Sequence, residues 1–189
     1  MSIFRKIDYN SPVVLSYFFL SAATLVLGYM TQGYTTGVFF SIYRTSFLDP
    51  LLYIRLFTHV LGHANFTHFI NNFLLLLIIG PILEEKYGSK RLLTMMLFTA
   101  VITGLVNIFL FPHAALLGAS GIVFMCILLA SITNFKSNTL PLTFLLVLVI
   151  YLGQELYSAT HATDNISHLT HIIGGICGAA FGFKGGSRN

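Results

Sequence analysis

Tryptophan is absent from this chain and charge is scarce. Asp, Glu, Lys and Arg make up 8% of its 189 residues, 56% are hydrophobic, and mean hydropathy is +0.82. An ordinary soluble domain is about 25% charged. A water-soluble fold of this size cannot hide so much apolar surface, so the bilayer is the solvent in which the composition makes sense. Only two cysteines occur, Cys126 and Cys177, both inside apolar runs, which argues against a disulfide framework. There are no internal repeats, no low-complexity tail and none of the alternation expected of a membrane barrel. The net charge is +4, but the basic residues are few and stand at segment ends, so they report topology rather than nucleic-acid binding.

What the chain does have is long apolar runs. A helix needs about 20 apolar residues to cross the hydrocarbon core, and six segments qualify: 12–30, 66–83, 92–111, 114–133, 140–154 and 166–183. Backbone groups must be satisfied inside the bilayer, so these segments are expected to be helices. The first follows Arg5 and Lys6 but is too long for a signal-peptide core, so it reads as an uncleaved crossing. The expected fold is all-α: one polytopic membrane domain over residues 1–189.

Charge sets the orientation. With six crossings, Arg5, Lys6, Lys86, Lys90, Arg91, Lys136, Lys184 and Arg188 fall on one side, and only Arg44 and Arg55 on the other. The positive-inside rule then puts both termini in the cytoplasm. The longest connection, 31–65, lies outside; it is aromatic, poor in charge, and expected in the membrane interface.

All seven histidines fall toward the outer side, and ionisable residues in a membrane protein's apolar segments point to function. Three groups carry chemistry. Gly118-Ala119-Ser120-Gly121 follows a loop with Pro112 and enters a helix. Its glycines admit close backbone approach, and the Ser120 amide falls in a first turn where donors are unpaired. A serine in an apolar run also commonly bonds back to its own helix. His171 precedes Gly174, Gly178 and Gly182, which recur every four residues on one face. That stripe is a helix-packing pattern in its own right, and it also brings a neighbour close enough for a Ser–His hydrogen bond. His68 and Asn72 share a face at i, i+4, either as interhelical bonding groups or as a pair of oxyanion donors. The three segments all enter from outside, which places His68, Ser120 and His171 at similar depth, one to two turns past entry.

In this order the motifs resemble those of the rhomboids, intramembrane serine proteases. The stretch Thr58-His59-Val60-Leu61-Gly62-His63 through His68-Phe69-Ile70-Asn71-Asn72 resembles the rhomboid second-helix region, Gly118 to Gly121 its GxSG, and His171 to Gly174 with Gly178 its HxxGxxxG. Glu84-Glu85-Lys86-Tyr87-Gly88-Ser89 resembles the segment after its second helix, so the likeness runs from about 54 to 182. Two departures stand out. The family's Trp-Arg is here Ile54-Arg55, and the tyrosine that some bacterial members stack on the histidine is here Phe124.

The resemblance implies a minimal six-helix, multi-pass protein of a bacterial inner membrane. Ser120 would be the nucleophile and His171 the base, with the Ser120 amide, His68 and Asn72 around the oxyanion. Gly118, Gly121, Phe124, Gly174, Gly178 and His168 would support them. His168 competes with His171 as base, but only His171 has glycines at +3, +7 and +11. The resemblance implies no cofactor and no metal; the partners would be single-pass or other helical membrane proteins, cut near the outer side, with the bilayer itself and no nucleic acid. Asp164 and Glu155, the only carboxylates near the motifs, read as structural. Two other readings stand beside this one. One is a metal site or transporter built on His59, His63, His68, His168 and His171, with the HxxxH of His59 and His63 at ligand spacing. The other is an inactive rhomboid-like binding protein. The charge segregation makes the topology testable: tags fused at residues 1 and 189 should be reached by reagents from the cytoplasmic side alone, and a tag at 189 detected outside would break the six-crossing count.

Overall fold

The computed structural model describes residues 8–132, 141–161 and 165–186. Of the residues singled out by their charge, Arg5, Lys6, Lys136, Asp164 and Arg188 lie outside the described residues. The described chain is helical, and its one β-type pairing is an isolated antiparallel bridge between Ile42 and Leu116. Among the described residues three helices are long and apolar enough to cross a membrane: α1 (Pro12–Met30), α4 (Phe66–Tyr87) and α5 (Ser89–Leu110). Between α1 and α4 stand two shorter helices, α2 (Tyr34–Phe39) and α3 (Pro50–Thr58), and a 3-10 turn, His59–Leu61. Then follow α6 (Ser120–Ser131), α7 (Leu142–His161) and α8 (Asn165–Gly186).

α1 opens on Pro12, whose missing N–H costs nothing at a first helical position. Its next two amides are satisfied from elsewhere: the Glu84 carboxylate, buried in the last turn of α4, accepts from Val13 N at 3.0 Å and Val14 N at 3.1 Å. The carboxylate also favours the positive end of the α1 dipole. Ser89 Oγ donates to the same group at 2.7 Å, so one buried acid joins the starts of α1 and α5 to the end of α4. At the other end of the pair, Phe66 N donates to Tyr29 Oη at 2.9 Å, so α1 and α4 are antiparallel. α4 and α5 are joined through Gly88 alone, whose φ of +79° is the left-handed conformation that favours glycine.

The 31–65 connection is more ordered than an interfacial loop needs to be. Arg55, counted above among the charges of the outer side, is buried. Its Nε donates to the Val38 carbonyl at 2.6 Å, its guanidinium pairs with Asp49 at 3.4 Å, and it lies 4.5 Å from the Tyr43 ring centre. It is an internal strut binding α2, α3 and the strap between them, because a guanidinium has enough donors to satisfy several acceptors at once.

The tightest helix pair is α6 with α8. A Cβ on Gly174 would collide with the Gly121 carbonyl, and one on Gly178 with the Met125 carbonyl. Gly182 faces Ile132, where a Cβ would stand 3.0 Å from the Ile132 Cβ. Contacts that advance together along both helices mean that α6 and α8 run parallel. α5 runs against them, with Thr103 beside Gly121 and Phe98 beside Phe181. The two cysteines, Cys126 and Cys177, are free, buried and part of the main apolar core.

Boundaries differ from the sequence expectation at one place that matters. The fourth helix was expected over 114–133 but begins at Ser120. Residues 111–119 are held out of helix by Pro112, by the pairing of Leu116 with Ile42 and by Gly118 at φ +121°. Ser120 is thus the first residue of its helix and His68 lies in the first turn of α4, rather than one to two turns in.

Because Gly178 touches backbone rather than a movable side chain, Gly178→Ala should destabilise the fold by about 1–3 kcal/mol, the usual cost of overpacking. Gly153, with nothing among the described residues within 4 Å of its Cβ position, is the control, and Gly153→Ala should leave the thermal midpoint in detergent unchanged or raised. Equal shifts for the two variants would contradict the backbone contact between α6 and α8.

Candidate active site

Ser120 sits at the start of α6, half-buried. The amides of a helix's first turn have no carbonyl one turn back, so those of Ser120, Gly121 and Ile122 depend on partners outside the helix. The loop that delivers Ser120 is pinned on both sides. Leu116 exchanges two 2.8 Å backbone hydrogen bonds with Ile42, and Asn107 of α5 donates to the carbonyls of Ile42 at 3.1 Å and Ala114 at 3.0 Å. Gly118 N donates to the His59 carbonyl at 3.0 Å.

His63 completes this anchoring. Its Nδ1 faces the Leu61 carbonyl at 3.1 Å and must carry the hydrogen, so Nε2 is left as the acceptor for Ala119 N at 3.4 Å. That tautomer is the neutral ring. The His63 pKa is lowered to about 4, first by burial and then by the neighbouring His68, with the Leu61 contact only partly opposing them. His59 is likewise held neutral: burial lowers its pKa to about 4 against its backbone hydrogen bonds to Arg55 and Leu56. Both rings are committed to backbone. Among the described residues no three His, Cys, Asp or Glu side chains gather in a way that could hold a metal ion.

α4 brings His68 to the same loop. Asn65, in extended conformation at the N-cap, accepts from His68 N at 2.9 Å and sets the start of the helix. The His68 ring lies against the Gly118 backbone, where a Cβ would stand 2.8 Å from Cε1 and 2.9 Å from Nε2. Gly118 is therefore required twice over, by its positive φ and by this ring. Asn72, one turn on and buried, donates to the His68 carbonyl at 2.8 Å, which uses one of its two amide hydrogens.

α8 brings His171. Gly174 against Gly121 sets the spacing, and the His171 ring packs on Phe124 with centroids 4.3 Å apart. Phe124 stands one turn after Ser120 on the same face of α6, so His171 borders the face that carries Ser120. Among the described residues the Ser120 hydroxyl has no hydrogen-bond partner. His168 is half-buried, one turn before His171. The starts of α4 and α8 thus each approach the start of α6, with His68 against Gly118 and His171 against Phe124, on either side of Ser120 in sequence.

Three residues not singled out from the sequence also shape the site: Asn107, Thr103 and Thr170. Asn107 was an intramembrane amide left unassigned, although its place in an apolar run was itself a signal. Thr103 and Thr170 wall Gly121, 3.2 and 3.3 Å from its Cβ position, and nothing in their spacing marked them. His63 stood out as part of the rhomboid-like stretch and as half of an HxxxH ligand pattern, but not for its role here, which is to accept from the loop before Ser120.

A family model described as the Rhomboid domain matches residues 51–188. The chain is 34% identical over 131 residues to the rhomboid protease GluP of Bacillus subtilis (strain 168), covering 67% of this chain and 25% of that protein. It is 27% identical over 139 residues to rhomboid-related protein 1 of Caenorhabditis elegans, covering 68% of this chain and 39% of that one. The matched part is therefore well under half of either relative. With the domain match running over most of the chain and over every segment that meets at Ser120, the chain belongs to the rhomboid family and is a multi-pass membrane protein.

Proposed function

We propose that the chain is an intramembrane serine endopeptidase in which Ser120 and His171 form the catalytic dyad. The observation that carries this reading is the double contact of α6 with α8: Gly174 on the Gly121 backbone and His171 on Phe124, one turn beyond Ser120. The Ser120–His171 hydrogen bond forms when substrate orders the site. His171 takes the Ser120 hydroxyl proton as Oγ attacks the scissile carbonyl, giving a tetrahedral oxyanion. The Ser120 amide, the His68 ring and the second Asn72 amide hydrogen are its donors. His171 then protonates the leaving amine, an acyl-enzyme remains, and water activated by His171 releases it.

In this reading six crossings, α1 and α4 to α8, carry both termini in the cytoplasm and place Ser120 toward the outer side of a bacterial inner membrane. Substrates are single-pass or other helical membrane proteins. A helix must unwind before its backbone can reach Ser120, which favours small or helix-breaking residues near the cut. GluP, by its name a rhomboid protease, supports the assignment, as does the presence of both serine and histidine.

The choice of base is testable with a serine-directed fluorophosphonate. His171→Ala should abolish both labelling and proteolysis, because Ser120 loses its base, while His168→Ala should retain labelling. Both variants are compared with wild type by thermal unfolding in detergent. Well-folded His171→Ala that labels at the wild-type rate, with His168→Ala inert, would transfer the role to His168; no labelling of the wild-type chain would instead favour an inactive binding protein. Asn72→Ala should lower kcat by about 10²–10³ with little change in KM, the usual effect of losing one oxyanion donor. A raised KM at unchanged kcat would assign Asn72 to substrate binding.

A further inference from the structure

At the end of the bundle opposite Ser120, the start of α5 and the end of α8 flank a cleft of about 760 Å³. Its walls are apolar: Met95 is buried, and Phe98 and Phe181 meet edge to face with centroids 5.7 Å apart. Its rim is cationic, with Lys90 and Arg91 in the first turn of α5 and Lys184 in the last turn of α8, all exposed. Among the described residues the ion pair present is Arg55 with Asp49, so none of these three cations is neutralised by a carboxylate. Glu84, close by in the fold, is occupied with the amides of Val13 and Val14 and with Ser89. The exposed Glu85 does not line the cleft.

We propose that this cleft binds an anionic phospholipid. Its phosphate lies among Lys90, Arg91 and Lys184, and the upper part of an acyl chain follows Met95, Phe98 and Phe181. Charge complementarity points to the headgroup, since three cations, unpaired among the described residues, line one cleft beside a helix N-terminus whose dipole also favours an anion. The apolar wall points to a lipid rather than a free phosphate. Phe98 remains 52% exposed on a helix apolar enough to cross the membrane, and a hydrated ion leaves that surface uncovered. A lipid so held would tie α5 to the foot of α8, the helix that carries His171. The proposal does not depend on the chemistry at Ser120.

The test is titration of the detergent-solubilised full chain with dioctanoyl phosphatidylglycerol, read by native mass spectrometry. Dioctanoyl phosphatidylcholine is the zwitterionic comparison and inorganic phosphate the competitor. Phosphatidylglycerol should bind in preference to phosphatidylcholine, and millimolar phosphate should not displace it. Each Lys or Arg near an anionic lipid surface contributes about fivefold. Lys184→Gln should therefore weaken binding about fivefold and the combined Lys90→Gln, Arg91→Gln, Lys184→Gln variant about a hundredfold, with Lys86→Gln, outside the cleft, unchanged. Equal binding of the two lipids, or undiminished binding by the triple variant, would overturn the proposal. Full displacement by phosphate would reduce the cleft to a free-anion site and overturn it as a lipid site.

Discussion

The backbone contact between α6 and α8 is the constraint on which the site depends. Lipid is as apolar as leucine, so burial of hydrocarbon does not by itself hold two membrane helices together. Close packing of backbone does. Gly174 and Gly178 remove the atoms that would keep α8 away from the Gly121 and Met125 carbonyls. The same closeness brings the His171 ring onto Phe124. A side chain at either glycine would move the histidine outward from the serine's face as surely as it would loosen the pair.

Around that contact, buried polar groups are placed where an apolar core alone would leave the chain undetermined. The loop 111–119 has too few side chains to pack itself into position. It is instead held by hydrogen bonds from outside: Asn107 on the Ala114 carbonyl, Ile42 on Leu116, the His59 carbonyl on Gly118 and His63 on Ala119. Glu84 and Arg55 do the same for the start of α1 and for the α2–α3 strap. In a low-dielectric surrounding such bonds are strong when every partner is present and costly when one is lost. That is why these residues tolerate burial that their types rarely accept.

A good deal of this was legible in the sequence. The membrane class followed from composition, and the runs at 12–30 and 66–83 from apolar length. The GxSG, the HxxxN pair at His68 and Asn72, and the glycines after His171 were each readable as spacing. What spacing misjudged was local. The start of α6 was placed six residues early because 114–119 is as apolar as a helix, and hydropathy does not register a backbone bridge to Ile42 or a positive φ at Gly118. Arg55 looked like an exposed topology signal because its carbonyl, carboxylate and ring partners come from residues 6 to 17 positions away. His63 looked like half of a metal pair because its real partner, the Ala119 amide, lies 56 residues on.

The sequence by itself determined that this chain belongs in a bilayer, where its long apolar helices run, and which serine and histidines stand near helix starts. These are properties of composition and of period, and both are local. Only the tertiary structure decided which groups meet. His68 lies over Gly118, His171 against Phe124, and His63 serves the loop before Ser120. Those meetings depend on how closely two backbones approach and on which distant carbonyl or amide fills a donor's remaining valence. Neither is encoded in the residues of any one segment.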